Sequence, residues 1–431
     1  MKIAWFKRII SPEIGVNLAG YGLNDKSVEK LDDLYMSGLC ADDGENRILI
    51  ISFDLIGLDE WYTRKIRRAC GEILGIAENA VLFTCTHTHS GPESRVHVKA
   101  PQQVNSVYLE KLEKWILEEV RNLKDFRECS VYFYSAKCDE NHNRRYISAC
   151  NKAAYTPFRR EMVPVVTEYA DQELGQVCFI DKESGLPIYV IGNYAAHPLA
   201  GHAAGLGGRR ISADYPGAFR RYLTAESGAE CMFISGAAGD LVPKEDELGS
   251  DAIEKMGKSL AKAALGGLLD CTRNPLRFRM EDAKVGAESR FVSVPLRKHK
   301  INTLPEYYGQ KSAIDLEMQV VSIGDVCFVG VPGELCTELG QEIKWHSPFR
   351  RAWIAYNSTA YMSYIGHANM LVAGGYEGAS QRLTARGGLM LVNAAVDAMF
   401  DLREKIFPTE EGEECYPDCN EPALVNIPPG R

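Results

Sequence analysis

Two histidines one residue apart stand in Thr86-His87-Thr88-His89-Ser90-Gly91-Pro92, directly after the apolar run Ala80-Val81-Leu82-Phe83-Thr84-Cys85. Alternation along an extended chain would turn both side chains to one face, with their Cα atoms about 6.5 to 7 Å apart. Both could then approach one metal ion or one substrate atom. Taken alone, the motif reads more plainly as two loop histidines satisfied by hydrogen bonds. A catalytic zinc needs about three His, Cys or carboxylate ligands plus water, so further donors must come from elsewhere in the chain. His197, in Asn193-Tyr194-Ala195-Ala196-His197-Pro198, follows another strand-like run, and a buried, hydrogen-bonded histidine is the equal alternative. Glu334, in Val331-Pro332-Gly333-Glu334, is placed for ligation after a strand and a Pro-Gly turn, although a first-turn glutamate beside a helix dipole is the commoner role. Tyr361, Tyr364 and Tyr376 crowd the Gly-rich stretch 356–378, which is neither plain helix nor plain strand in pattern; tyrosines so placed usually pack or hydrogen-bond. Asp214, two residues before Pro216, reads as a helix N-cap. The glycine-rich stretch 201–210 reads as a rim or lid.

The elements that must position these groups follow an α/β pattern. Residues 47–58 (RILIISFDLIGL) read as a buried strand, 61–74 as a helix and 80–86 as a second strand, together a β-α-β unit. Leu109, Leu112, Ile116, Val120 and Leu123 recur at three and four residues, an apolar stripe on a helix that packs and does no chemistry. Strands are expected over 128–138, 175–180 and 187–195, the last two joined by the turn Lys182-Glu183-Ser184-Gly185. A second hairpin is expected over 318–331, turning at Gly324-Asp325, and helices over 216–227, 251–269, 335–345 and 389–405. There is no internal repeat and no linker long enough to separate two domains. One domain is therefore expected over 1–406, followed by a polar, Pro- and Glu-rich tail over 407–431.

The 49 Lys and Arg against 58 Asp and Glu leave a formal charge of −9, which argues against nucleic acid as a partner. With 45% hydrophobic and 25% charged residues, the composition is that of an ordinary globular protein. No run of about 18 apolar residues is present, so no transmembrane segment is expected, and the first residues lack the apolar stretch of an export signal. Thirteen cysteines without a disulfide-framework spacing fit reduced thiols and a cytoplasmic location. Cys415 and Cys419 form a C-x₃-C pair with no second pair, a weak metal signal. Oligomeric state has no signature in the sequence.

Several ordered motifs together resemble the neutral, non-lysosomal ceramidase family, zinc amidases that cut the N-acyl bond of ceramide. They are His-Thr-His-Ser-Gly-Pro, Asn143-Arg144, the His197 segment followed by Ile-Ser-Ala-Asp-Tyr-Pro-Gly, Gly239-Asp240, Pro332-Gly333-Glu334, and Tyr364-Ile365 ahead of Tyr376-Glu377-Gly378. The resemblance runs from about residue 20 to 402. It implies two packed mixed β-sheets flanked by helices in α-β-β-α order. It places the family's zinc ligands on His87, His197, Glu334 and Tyr364, and its non-ligand active-site positions on His89, Arg144 and Tyr376. The implied function is zinc-dependent hydrolysis of a lipid or small-molecule N-acyl substrate, since zinc lowers the pKa of its water to about 7. His89 would relay a proton toward the departing amine, and Arg144 and Tyr376 would donate hydrogen bonds to the developing oxyanion or to substrate.

The sequence departs from that family in three places. Gly239-Asp240-Leu241-Val242-Pro243 replaces the family's Gly-Asp-x-Ser-Pro, leaving no serine nucleophile there. The polar tail stands where the long ceramidases carry an immunoglobulin-like domain, and an export signal is lacking. A second enzyme reading therefore keeps the zinc but takes a small polar amide, ester or lactone. His202 and Arg209-Arg210 would suit an anionic or sugar-like group. A non-catalytic binding module would require a broken ligand set, and the set is intact.

Overall fold

The structure, a computed structural model, describes residues 1–20, 25–96, 104–145, 169–201, 209–244, 249–281 and 283–408. Eight strands form one mixed sheet in the order Glu230–Ser235, Pro187–Tyr194, Glu173–Asp181, Arg127–Lys137, Lys2–Ile9, Tyr35–Asp42, Arg47–Phe53 and Val81–Cys85. The outermost pair at each edge is parallel and the inner neighbours are antiparallel. A parallel pair needs a crossover, and helices Glu60–Leu74 and Asp214–Ser227 lie in the two connections. Both helices stop at a left-handed glycine, Gly75 (φ 68°) and Gly228 (φ 73°), whose N–H closes the final turn.

Strand alternation divides the core into layers. In Arg47–Phe53, Leu49, Ile51 and Phe53 meet helices Glu60–Leu74 and Ser106–Asn122, while Ile48 and Ile50 face a second sheet. Helices Asp214–Ser227 and Ser250–Arg273 cover the other half of the helix-bearing face through Phe219, Leu223, Met256 and Leu260. The second sheet runs Val285–Pro295, Ala313–Ile323, Val326–Gly330, Arg351–Ala355, with its last pair parallel across helix Thr337–Trp345. Its inner face (Val321, Ile323, Phe328, Trp353) packs on Ile50, Leu82, Phe179 and Ile191 of the large sheet. Its outer face (Met318, Val320, Val329) lies under Leu391, Ala395 and Met399 of helix Ala385–Ile406. The order helix, sheet, sheet, helix is the one the resemblance implies. The buried Arg67–Glu317 pair, 2.7 Å apart, ties the helix layer to the second sheet.

Three parallel pairs deliver their carboxyl ends to one place, the position where α/β sheets commonly build their sites. Thr84 Oγ1 donates to Tyr356 O (2.8 Å), Tyr356 N to Ser235 O (3.0 Å), and Ser235 Oγ to Thr86 O (2.8 Å). The ends of Val81–Cys85, Glu230–Ser235 and Arg351–Ala355 are thereby held together.

The two hairpins form as expected, turning at Gly185 (φ 70°) and Gly324 (φ 58°). The expected strand over 47–58 ends at Phe53. Asp54 turns its carboxylate to Tyr35 N (2.8 Å) and Arg220 (3.0 Å), and the residues after it leave the sheet to hold His87. Leu123 caps its helix from outside, and the expected 356–378 loop contains the short strand Tyr364–Ile365 and helices Ala368–Ala373 and Gly375–Ser380. Strands Lys2–Ile9, Tyr35–Asp42, Glu230–Ser235, Val285–Pro295 and Arg351–Ala355 were not anticipated. Among the described residues, ten cysteines are free and buried, and no helix is long and apolar enough to cross a membrane. Cys415, Cys419 and the chain from 409 lie outside the described residues.

Candidate metal centre

His87 follows its strand by two residues in a left-handed conformation, φ 72°. Its N–H donates to Leu55 O (2.9 Å), and its Nδ1 faces Ile56 O at 2.7 Å. The two histidines do converge, but through this turn and not through extended alternation: His87 Nε2 and His89 Nε2 are 3.3 Å apart. His197 is held the same way, its N–H on Leu241 O (2.9 Å) and its Nδ1 facing Ala238 O (2.6 Å) and Leu241 O (3.1 Å). A carbonyl oxygen only accepts, so each Nδ1 is placed to donate to it, and a neutral ring so bonded keeps its lone pair on Nε2.

Both Nε2 atoms lie 3.3 Å from Glu334 Oε2. Burial, then the charge of Arg144, pushes His197 down to about 4, so the ring is neutral near pH 7. Burial opposes the charge of Glu334, yet the imidazoles of His87 and His197 hold its carboxyl well below the ordinary range. Two ring nitrogens and a carboxylate oxygen therefore converge on one point. His197 Nε2 and Glu334 Oε2 are buried and find no hydrogen-bond partner among the described residues. A shared cation, whether a proton or a metal ion, is what stabilises such a cluster. The donor atoms of His87, His89 and His197 all lie within 4.8 Å of one another and could hold a metal ion. Imidazoles whose second nitrogen is fixed by a backbone carbonyl are the usual form of a metal-binding histidine.

Glu334 and Tyr364 are register partners in a two-residue parallel ladder, Glu334–Leu335 with Tyr364–Ile365. Glu334 thus lies outside the following helix, which begins at Thr337, and the helix-dipole role falls away. A Cβ on Gly333 would come within 2.7 Å of Ser363 O, so glycine permits this close approach. Tyr361, named in the sequence only as one of three crowded tyrosines, donates its hydroxyl to Glu334 Oε1. The Tyr364 hydroxyl accepts from Arg144 (3.0 Å), and its ring stacks beside His197 at 6.4 Å.

Arg144 follows the short strand Asn141–Asn143, which pairs with Leu241–Pro243. Its Nε donates to Glu377 Oε1 (2.6 Å) and its terminal nitrogen to Gly239 O (3.1 Å); Arg145 reaches Glu377 Oε2 at 2.8 Å. Tyr376, 38% exposed, meets the Tyr364 ring edge-on at 5.5 Å. His89 is half-buried; burial, and then the neighbouring His87, push it well below its usual value, so it is neutral and able to take a proton. Asp240 is a brace, accepting from Thr337 N (2.8 Å), Thr337 Oγ1 (2.7 Å) and Asn143 Nδ2 (2.9 Å).

One expectation is corrected. Asp214 is the first helical residue, not the cap, and its carboxylate also accepts from Ala200 N (3.1 Å) and Gly201 N (2.8 Å), anchoring the chain after His197. Arg210 pairs with Glu29, and the exposed Arg209 donates to Lys26 O (3.0 Å). His202 and the rest of the 202–208 stretch lie outside the described residues. The sequence reading also missed Asn357, whose amide lies 2.9 Å from His87 Nδ1, Arg95 over the Tyr361 ring, and the role of Glu377. Adjacency to Tyr364 and Tyr376 was the one available signal for Tyr361 and Glu377.

These features define a four-layer mixed α/β protein with a metal-capable histidine cluster at the carboxyl ends of its parallel strands. No family model matches the sequence, and no curated protein matches it. Seven chains among solved structures do match. One is a neutral ceramidase from Pseudomonas aeruginosa, with TM-score 0.74 and 17% identity, covering 97% of this chain and 76% of that one. Another is a ceramidase complexed with C2, with TM-score 0.77 and 16% identity, covering 97% of this chain and 77% of that one. The chain has the fold of these ceramidases, in agreement with the resemblance read from its motifs.

Proposed function

We propose that the protein is a zinc-dependent amidohydrolase that cleaves an N-acyl bond, with a ceramide-like lipid or another N-acyl compound as substrate. One observation carries the reading: two imidazole nitrogens, on rings whose Nδ1 atoms face backbone carbonyls, converge at 3.3 Å on one buried carboxylate oxygen that has no hydrogen-bond partner among the described residues. The proposed ligand set is His87, His197, Glu334 and Tyr364, nitrogen and oxygen donors that suit zinc. When bound, zinc would polarise a carbonyl and acidify a water to near-neutral pKa. Neutral His89 would accept a proton from the attacking water and return it to the departing amine. Arg144, held by Glu377, and the half-exposed Tyr376 would donate to the carbonyl oxygen as charge develops there. Val242 offers no hydroxyl for a serine-type acyl intermediate. Residues 1–406 would act as one catalytic domain.

The test is elemental analysis of the purified protein beside His197→Ala and Glu334→Ala, followed by amine release from a short-chain ceramide and from small polar amides and lactones. About one zinc per chain, lost in both folded variants, with turnover of N-acyl lipids, is the expected result. No bound metal after zinc is supplied would refute the proposal, and hydrolysis of polar amides or lactones alone would refute its substrate class.

A further inference from the structure

The centre is built from two arms that mirror each other. On one, the Arg144 guanidinium lies 5.6 Å from the Tyr364 ring centroid, Glu377 holds the arginine, and Tyr364 stacks beside His197. On the other, Arg95 lies 4.2 Å from the centroid of Tyr361, and Glu93 holds the arginine through two bonds of 2.9 Å. Tyr361 in turn stacks beside His87 at 6.2 Å. The family resemblance assigns roles on the first arm and none to Tyr361, Arg95 or Glu93 on the second. Glu334 is shared between the arms. Its Oε1 accepts from the Tyr361 hydroxyl, while its Oε2 faces both Nε2 atoms.

A carboxylate free to rotate about its terminal bond can offer a metal either oxygen or both. One with an oxygen already held by a hydrogen bond is biased toward offering the other. We propose that Tyr361 is a positioning residue for the metal centre: its hydroxyl pins Glu334 so that Oε2 alone faces His87 and His197, and Arg95 holds the tyrosine ring in place. The proposal rests on the reading of this cluster as a metal site. Outer groups that orient a ligating side chain typically contribute a factor of about 10 to 100 in metal affinity. The ring has little room to move, since a Cβ on Gly57 would come within 2.5 Å of its Cδ2.

Metal-free protein is titrated with Zn²⁺ against a chromogenic chelator, and with Co²⁺ followed by visible absorption. Tyr361→Phe, with the far-ultraviolet circular dichroism of the wild type, should bind Zn²⁺ about 10- to 100-fold more weakly. Its Co²⁺ bands should shift and weaken as the released carboxylate adds its second oxygen. Gly57→Ala keeps the hydroxyl but displaces the ring, and should weaken binding in the same direction. It also supplies the answer should Tyr361→Phe not fold. A purely structural Tyr361 would leave the Co²⁺ spectrum unchanged, and wild-type affinity and spectrum in both variants would overturn the proposal. Failure of the wild type itself to bind either metal would overturn the metal centre and this proposal together, an outcome distinct from unchanged binding in the variants.

Discussion

Glu377→Gln tests whether Arg144 is held in place by charge or merely by packing. Glu377 is fully buried and accepts from Arg144 at 2.6 Å and Arg145 at 2.8 Å, both guanidinium groups being buried as well. Glutamine keeps the shape and one acceptor oxygen, but it leaves two buried positive charges without their counter-charge. Breaking a buried pair in this way costs about 3 to 5 kcal/mol. At about 2.1 cal/mol/K per residue, a chain of 431 residues should lose roughly 3 to 6 °C in Tm. The pH dependence has a definite sign. Burial opposes the carboxylate, but Arg144 and Arg145 hold it below its ordinary value of 4.5. Its contribution is present above that pH and is lost as acid protonates it, so the gap between variant and wild type should narrow on acidification. Differential scanning calorimetry at pH 7 and pH 4, with metal content measured in parallel, reads both effects. Turnover should fall while metal is retained, because among the described residues the Glu377 carboxylate is hydrogen-bonded to Arg144 and Arg145 and to none of the proposed ligands. A Tm within about 1 °C of wild type at pH 7, or a gap that widens in acid, would refute the reasoning.

Other outcomes follow from the same geometry. Chelation should lower Tm by roughly 4 to 5 °C if free zinc had been about 1,000-fold above Kd, a linkage of about 4.1 kcal/mol, with re-addition restoring it; a chelator-insensitive Tm would count against a metal centre. His89→Ala should keep the metal and lose about 10²- to 10⁴-fold in kcat, whereas metal loss in that variant would make His89 a ligand. Gly20→Ala should phenocopy it, because the new Cβ would come within 2.3 Å of His89 Nδ1 and Gly20 has φ 92°; unchanged kcat would show that the His89 ring tolerates displacement. Burial raises Asp59 to about 6, from 3.8. A raised carboxyl favours the folded state at low pH, and that advantage is lost as pH rises through about 6. Asp59→Asn should remove on the order of 3 kcal/mol of this pH dependence between pH 4 and 7, read by denaturant unfolding.

Much of the framework was legible because it rests on local pattern. The stripe Leu109, Leu112, Ile116 and Val120 is buried on one helix as its spacing requires, and the two hairpins turn at their glycines. The edge β-α-β unit around Arg47–Phe53 and Val81–Cys85 was visible as two apolar runs separated by an amphipathic one. Lys2–Ile9, Val285–Pro295 and Arg351–Ala355 escaped notice because short or mixed strands acquire their meaning from partners far away in the chain. Asp214 was misread for the same reason: a carboxylate before a helix looks like a cap until Ala200 and Gly201 supply other donors.

The chain's own pattern of apolar residues and turn residues determined an α/β protein, and the order of its His, Glu, Tyr and Arg motifs pointed to one set of candidate donors. Tertiary structure decided which atoms of those residues are available. Ile56, Ala238 and Leu241 lend the carbonyls that face Nδ1 of His87 and His197 while Nε2 of each ring faces Glu334, and Tyr361 takes one oxygen of that carboxylate. These partners lie 27 to 44 residues away in sequence and meet only at the converging carboxyl ends of the strands. A hydrogen bond is made between positions in space, and spacing along the chain cannot encode it until the fold has closed.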